Sequence, residues 1–128
     1  MAAFSNYLEN ALINGTLRAT SYTAPTTVYV GLFTTDPTDA GSGTEVSGNA
    51  YARRSATFAA PSDGAASTNA DVQFPQATGT WGTVTHFAIF DALTTGNMMY
   101  HGALTASKLI EIGDVFKIAS GDLTVTLA

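Results

Sequence analysis

Apolar residues in this chain change their spacing near Pro25, and the change separates a helical opening from a β-rich remainder. Phe4, Tyr7, Leu8, Ala11 and Leu12 recur at i, i+3, i+4, i+7 and i+8, one stripe along a helix. The spacing predicts a short α-helix over residues 3–14, ended by Asn14-Gly15, which take left-handed conformations most readily. So short a helix is marginal alone and must dock, on its own domain or on another subunit.

Beyond Pro25 the period becomes that of strands. Thr27 to Thr34 places Val28, Val30 and Leu32 on one face and Tyr29 and Phe33 on the other, which predicts an interior strand. Thr35 to Asn49, broken by Asp36-Pro37, Gly41, Gly43 and Gly48, reads as a long exposed loop. Tyr51 to Phe58 is a strand carrying Arg53 and Arg54; Ala59 to Asn69 is a flexible connection. Ala70 to Phe74 is a short strand ended by Pro75.

The run from Gly79 to Asp91 is the most informative segment. It begins with Thr alternating with larger side chains and becomes continuously apolar from Phe87 to Phe90. That predicts a central strand, half exposed at Trp81 and buried on both faces at its far end. Asn97 to Leu104 pairs with it across the turn Leu93 to Gly96. Leu109 to Ile112, Val115 to Ile118 and Leu123 to Leu127 complete a series of short strands between turn signals. The pattern is that of a mainly β, single-domain antiparallel β-sandwich, jelly-roll or Ig-like, over residues 1–128 with a short N-terminal α-helix.

Composition narrows the function classes. The chain has 128 residues, no Cys, a net charge of −5 and only 12% charged residues, against about 25% in an average domain. Thiolate chemistry, disulfides and cysteine metal sites are excluded. Five basic residues, two of them adjacent, make no phosphate-neutralising stripe, so nucleic acid is not an expected partner. No apolar run reaches the ~20 residues that span a bilayer, and no membrane partner is expected. The start lacks the basic and apolar regions of a signal peptide, so synthesis and assembly are expected in a cytoplasm.

Candidate chemistry is sparse. His86 falls in phase with Val84, Ala88 and Phe90, opposite in parity to Asp91, and reads as a structural histidine. His101 has no ligand-like spacing, and two histidines without a third ligand do not predict zinc. The loop Asp36 to Glu45 resembles a calcium loop only superficially: its fifth position is Ala40 and its twelfth Ser47. No Gly-x-Ser-x-Gly elbow occurs. Arg53 and Arg54 point to opposite faces, one suited to a sheet edge and the other to an ion pair across an interface. No catalytic, cofactor or metal residue is predicted.

Several stretches together resemble a family of small tailed-bacteriophage virion proteins. They are Tyr7-Leu-Glu9, the run from Val28 to Gly48, Tyr51-Ala-Arg53, Phe74-Pro75, Trp81 to Asp91, Gly102-Ala-Leu104, Gly113-Asp114 and Leu123 to Leu127. The resemblance covers nearly the whole chain. It implies a virion component without enzymatic activity, of a kind labelled tail fibre protein or serving as capsid decoration or cement protein. The absence of repeats or a shaft favours decoration. On that expectation the partners are the major capsid protein and further copies of the chain, as a homo-oligomer (trimer or dimer), held by many weak contacts. The alternative is a tail-associated fibre or receptor/carbohydrate-binding module, which exposed aromatics at Tyr22, Tyr51 or Trp81 would favour. The residues expected to meet a partner are Phe4, Tyr7, Leu8, Leu12, Tyr51, Arg53, Arg54 and Trp81.

Overall fold

A computed structural model of the chain describes residues 2–127. In chain order the elements are β1 (Ala3–Phe4), α1 (Asn6–Leu17), β2 (Val28–Phe33), β3 (Arg54–Ala56), β4 (Ala65–Ser67), β5 (Val72–Gln73), β6 (Gly82–Phe90), β7 (Met98–Ile110), β8 (Lys117–Ile118) and β9 (Thr124–Thr126). Five strands form an antiparallel sheet in the order β1-β7-β6-β2-β3. Two short antiparallel ladders, β4 with β9 and β5 with β8, supply the second layer.

The main core lies between these layers. Val30, Leu32, Val84, Phe87 and Ile89 from the large sheet meet Val72, Phe74, Phe116 and Leu123 from the ladders and their flanks. A smaller cluster, Phe33, Ala88, Phe90 and Met98, occupies the sheet's other face. The continuous apolar stretch Phe87 to Phe90 follows directly, because alternate residues fill the two clusters. The mainly β, antiparallel sandwich with one helix is therefore the fold observed.

Several local expectations are corrected. The helix does not begin at residue 3: Ser5 caps it, accepting the Leu8 N–H at 3.2 Å, and Ala3–Phe4 instead pairs with β7. Nor does it end at Asn14-Gly15. It runs to Leu17 and closes where Arg18 and Thr20 N–H donate to the Asn14 carbonyl, with Ala19 left-handed at φ 53°.

β6 and β7 share a register in which Val84 faces Lys108 but His86 faces Ala103, so three extra β7 residues bulge out. Val84 accordingly packs in the main core with Phe87 and Ile89, not in phase with His86 and Ala88. Leu109 and Ile110, read as part of a separate strand, are the end of β7.

The two loops are also better held than expected. Beyond β3, the edge of β2 is continued by the return of the 35–49 segment: Val46 N–H donates to Leu32 and Thr34 N–H to Thr44. Pro37 and Val46 are buried. Within 59–69, Ala65–Ser67 forms β4 against the last strand, a pairing that local β-propensity gives no sign of.

Candidate functional site

The strongest concentration of charge lies over the smaller apolar cluster. Arg53 donates from Nε and Nη2 to Glu45 Oε2 and Oε1 at 2.8 and 2.9 Å, a bidentate fork. Its Nη1 donates to the carbonyls of Ala92 (3.0 Å) and Thr95 (2.8 Å) in the β6–β7 turn. The guanidinium carbon sits 3.5 Å from the Phe90 ring centroid. Tyr51 completes the cluster, donating to Glu45 Oε2 at 2.7 Å and accepting the Leu32 N–H at 2.9 Å. Burial, then the hydrogen bond to Glu45, push the Tyr51 phenol far above its ordinary range, the Leu32 N–H partly offsetting them.

Gly31 makes room for this cluster. A Cβ there would lie 2.8 Å from Glu45 Oε2, 3.1 Å from Phe90 and 3.2 Å from the Tyr51 hydroxyl. The arrangement ties the 35–49 segment, β2, the approach to β3 and the β6–β7 turn into one body. With four of the five N–H donors of Arg53 bonded internally and its side chain buried, the cluster acts as a clamp.

The residues expected to touch partners therefore divide. Trp81 is buried (5% exposed), with its Nε1 donating to the Asn49 carbonyl at 2.9 Å and its ring edge-on to Tyr51. The expectation of a half-exposed Trp81 is corrected: the small residues around it mark close packing. Leu8 and Arg53 are likewise buried, the first under α1 and the second in the clamp, and Tyr51 stacks on Phe74. Trp81, Leu8 and Arg53 belong to the interior, and Tyr51 is half-buried against it. Phe4 and Leu12 pack half-buried against the core, Phe4 edge-on to Tyr100. Tyr7 and Arg54 remain on the surface.

Neither histidine sits in a catalytic constellation among the described residues. His86 Nδ1 bonds to the Thr85 hydroxyl at 2.8 Å. His101 Nε2 meets Asp39 Oδ1 at 2.7 Å, joining β7 to the 35–49 segment. Glu45 and Asp39, on the segment read from sequence as a long exposed loop, are thus structural partners. Their partners lie 8 and 62 residues away, and no local signal announces either. Among the described residues no three His, Asp or Glu side chains gather as for a metal ion, and no helix is long and apolar enough to cross a membrane.

What the surface does offer is uncovered apolar side chains. On α1 these are Tyr7, Ile13 and Leu17, the last 79% exposed. At the β7–β8 end they are Leu109, Ile112 (74% exposed) and Val115. Two clefts accompany them. One, of about 270 Å³, opens between the large sheet and the β4–β9 ladder and is lined by Val28, Phe58, Met99 and Val125. The other, of about 650 Å³, lies between the β7 bulge and the strands β8 and β9.

A closed core, an inward-facing charge cluster and uncovered apolar side chains at two ends define a small, mainly β sandwich protein. Comparison with known families gives that class a place. A family model described as Podophage GP4 fiber I protein gp80 matches residues 3–126, and the chain belongs to this family of small tailed-phage virion structural proteins. No curated protein matches it.

Proposed function

We propose that the chain is a compact, non-enzymatic module of the phage fibre, joined to other virion proteins through its apolar rim. The single observation that carries this reading is the family match along residues 3–126, in a family described by its fibre. The exposed Ile13 and Leu17 at one site and Leu109, Ile112 and Val115 at another support it, since apolar rims of this kind serve protein contact. A glycan platform is less well supported. Trp81 is interior, and Tyr51 and Tyr22 are half-buried, the Tyr51 hydroxyl bonded to Glu45 and that of Tyr22 3.6 Å from Met99 Sδ.

A second reading, capsid decoration through contacts with the major capsid protein, draws on shape. The main core gathers residues from Ala2 to Leu123 into one body, with none of the shaft that an elongated fibre has. Both readings place the chain on the virion as a homo-oligomer and require no nucleic-acid or membrane partner. Copy number separates them. Quantitative gel densitometry of purified particles, with antibody labelling in electron micrographs, is expected to give a handful of copies at the tail. Hundreds of copies spread over the head would replace the fibre reading with decoration.

A further inference from the structure

The Arg53 clamp fixes two surface segments in place. Glu45 anchors the 35–49 segment, and the Ala92 and Thr95 carbonyls anchor the β6–β7 turn. The start of α1 joins them, since Asn6 N–H donates to the Asp39 carbonyl at 2.9 Å. A cleft of about 420 Å³ lies where the three meet. Asp39 lines it from the first segment, Asn97 from the turn, and Asn6 and Tyr7 from the helix. Buried Met98 and Phe90 give it an apolar floor. Binding residues gather on loops that a rigid scaffold positions, and a buried ion pair positions these.

The polar groups on the cleft are themselves held. His101 Nε2 meets Asp39 Oδ1 at 2.7 Å, while the Asp39 side chain stays 50% exposed and its Oδ2 has no hydrogen bond among the described residues. Asp91 accepts the Asn97 backbone N–H at 2.7 Å and its Nδ2 at 3.0 Å, which leaves Asn97 Oδ1 as an open acceptor. This turn needs Gly96, which has φ 72° and where a Cβ would lie 2.6 Å from Asp91 Oδ1. Tyr7, 40% exposed, supplies a phenol ring and hydroxyl, and Asn6 an amide. No Lys, Arg or His among the described residues lines the cleft, so an anion finds no partner there.

We propose that this cleft binds a neutral saccharide unit. Two sugar hydroxyls donate to Asp39 Oδ2 and Asn97 Oδ1, the Asn6 amide meets a third, and the Tyr7 ring covers a C–H face. A wholly apolar ligand would strip water from those oxygens without replacing its hydrogen bonds. A cation fits less well, because each carboxylate already takes a donor of the chain, His101 on Asp39 and Asn97 on Asp91. The volume falls within the range of about 300–1,000 Å³ of small-molecule sites. The site is separate from Tyr22, Tyr51 and Trp81, and it does not rest on the fibre assignment.

Titration of nitrogen-labelled protein with the methyl glycosides of glucose, galactose, mannose, rhamnose and N-acetylglucosamine tests this by proton–nitrogen correlation spectra. At least one glycoside is expected to shift the amides of residues 5–7, 39–41 and 96–98. A Kd of about 1–10 mM is expected for a ligand of this size. Asn97→Ala and Tyr7→Ala should each weaken binding about tenfold or more, whereas Leu17→Ser, at the other end of α1, should leave it within about twofold. Trp81 emission shows that each variant is folded.

The proposal is overturned if none of these glycosides moves those amides at concentrations about tenfold above that range. Shifts that persist undiminished in both Asn97→Ala and Tyr7→Ala would overturn it as well. So would a response of the same amides to methylammonium chloride alone, which would assign the cleft to a cation. None of these outcomes touches the copy number on which the fibre reading turns.

Discussion

Replacing Arg53 by Met tests whether the buried clamp holds the 35–49 segment and the β6–β7 turn in place. The thioether keeps the stem and can rest on Phe90, so the change isolates the guanidinium. Four hydrogen bonds are lost, two to Glu45 and one each to Ala92 and Thr95. Removing one partner of a buried ion pair costs about 3–5 kcal/mol. The lower end applies here, because the Glu45 side chain is 24% exposed and regains water. The two turn carbonyls face solvent closely enough to be rehydrated, and together with the lost cation–π contact they add about 1 kcal/mol. The expected destabilisation is about 3–4 kcal/mol. At about 2.1 cal/mol/K of unfolding entropy per residue, a chain of 128 residues then loses roughly 11–15 °C in Tm.

Urea titration read by Trp81 emission measures this directly, since that indole is the only one and is buried. Glu45→Gln leaves Arg53 as an uncompensated charge and is expected to cost about the same. The double variant, having neither charge, should fall short of the sum of the singles by about 2–3 kcal/mol. Arg53→Lys, which keeps the charge but not the fork, should cost about 1–2 kcal/mol. If Arg53→Met lies within about 1 kcal/mol of the parent and the two singles simply add, the clamp is not what holds these segments.

Three further changes probe separate parts of the fold. Gly31→Ala forces a methyl against Glu45 and Phe90, and a loss of about 1–3 kcal/mol in the same titration is expected. Ser5→Ala removes the cap on α1 and should cost about 1 kcal/mol, with a small drop in helical ellipticity. Tyr51, raised by burial and its bond to Glu45, gives a sign for alkaline pH. An unfolded phenol ionises near pH 10 and the folded one does not, so the folded state binds the extra proton above that pH. The stabilisation is complete below pH 10 and falls as pH rises, by up to about 1.4 kcal/mol per pH unit. Absorbance at 295 nm should show one tyrosine ionising only with unfolding, and Tyr51→Phe should remove that class. A Tyr51 that titrates in the folded protein would contradict the buried geometry.

The sequence made legible whatever a local period determines. The presence of α1, β2 and the two-sided burial of Phe87 to Phe90 followed from spacing, the last because the sheet is covered on both faces there. Of the predicted stripe, however, Phe4 lies in β1 and Tyr7 stays on the surface. Less was legible where one residue's role depends on a distant one. Arg53 on a short strand reads as edge charge until Glu45 arrives on the returning loop. The residues of β4, Ala65-Ala-Ser67, form a strand only because Thr124–Thr126 comes back beside them. Trp81 read as half exposed because Thr alternates with larger side chains at the start of its run, and Gly79, Thr80 and Gly82 surround it. Those small residues instead let Asn49 approach, its side chain 2.8 Å from a Cβ at Gly79. The irregularity between Val84 and His86, where β6 breaks its own alternation opposite the β7 bulge, leaves no mark in the sequence of β6.

These misreadings share a cause that bears on function. Aromatic and charged residues were expected at the contact surface, and the structure spends Trp81, Tyr51 and Arg53 on closing its own interior. Among the described residues no buried side-chain nitrogen or oxygen lacks a partner, so the interior makes no demand on a ligand. The apolar side chains left uncovered are mostly aliphatic: Ile13 and Leu17 on α1, beside Tyr7, and Leu109, Ile112 and Val115 at the far end of β7 and after it. Aliphatic contacts of this size are individually weak beside those of Trp, Tyr and Arg, around which strong hot spots form. On the proposed fibre role, assembly through them would gain strength from repetition, each weak junction reinforced by its neighbours in the particle. It follows that Ile112→Ser or Leu17→Ser should leave the isolated protein's urea midpoint within about 0.5 kcal/mol of the parent. The same change should lower incorporation into virions, scored by densitometry of purified particles. Undiminished incorporation of both variants would place the contact surface elsewhere.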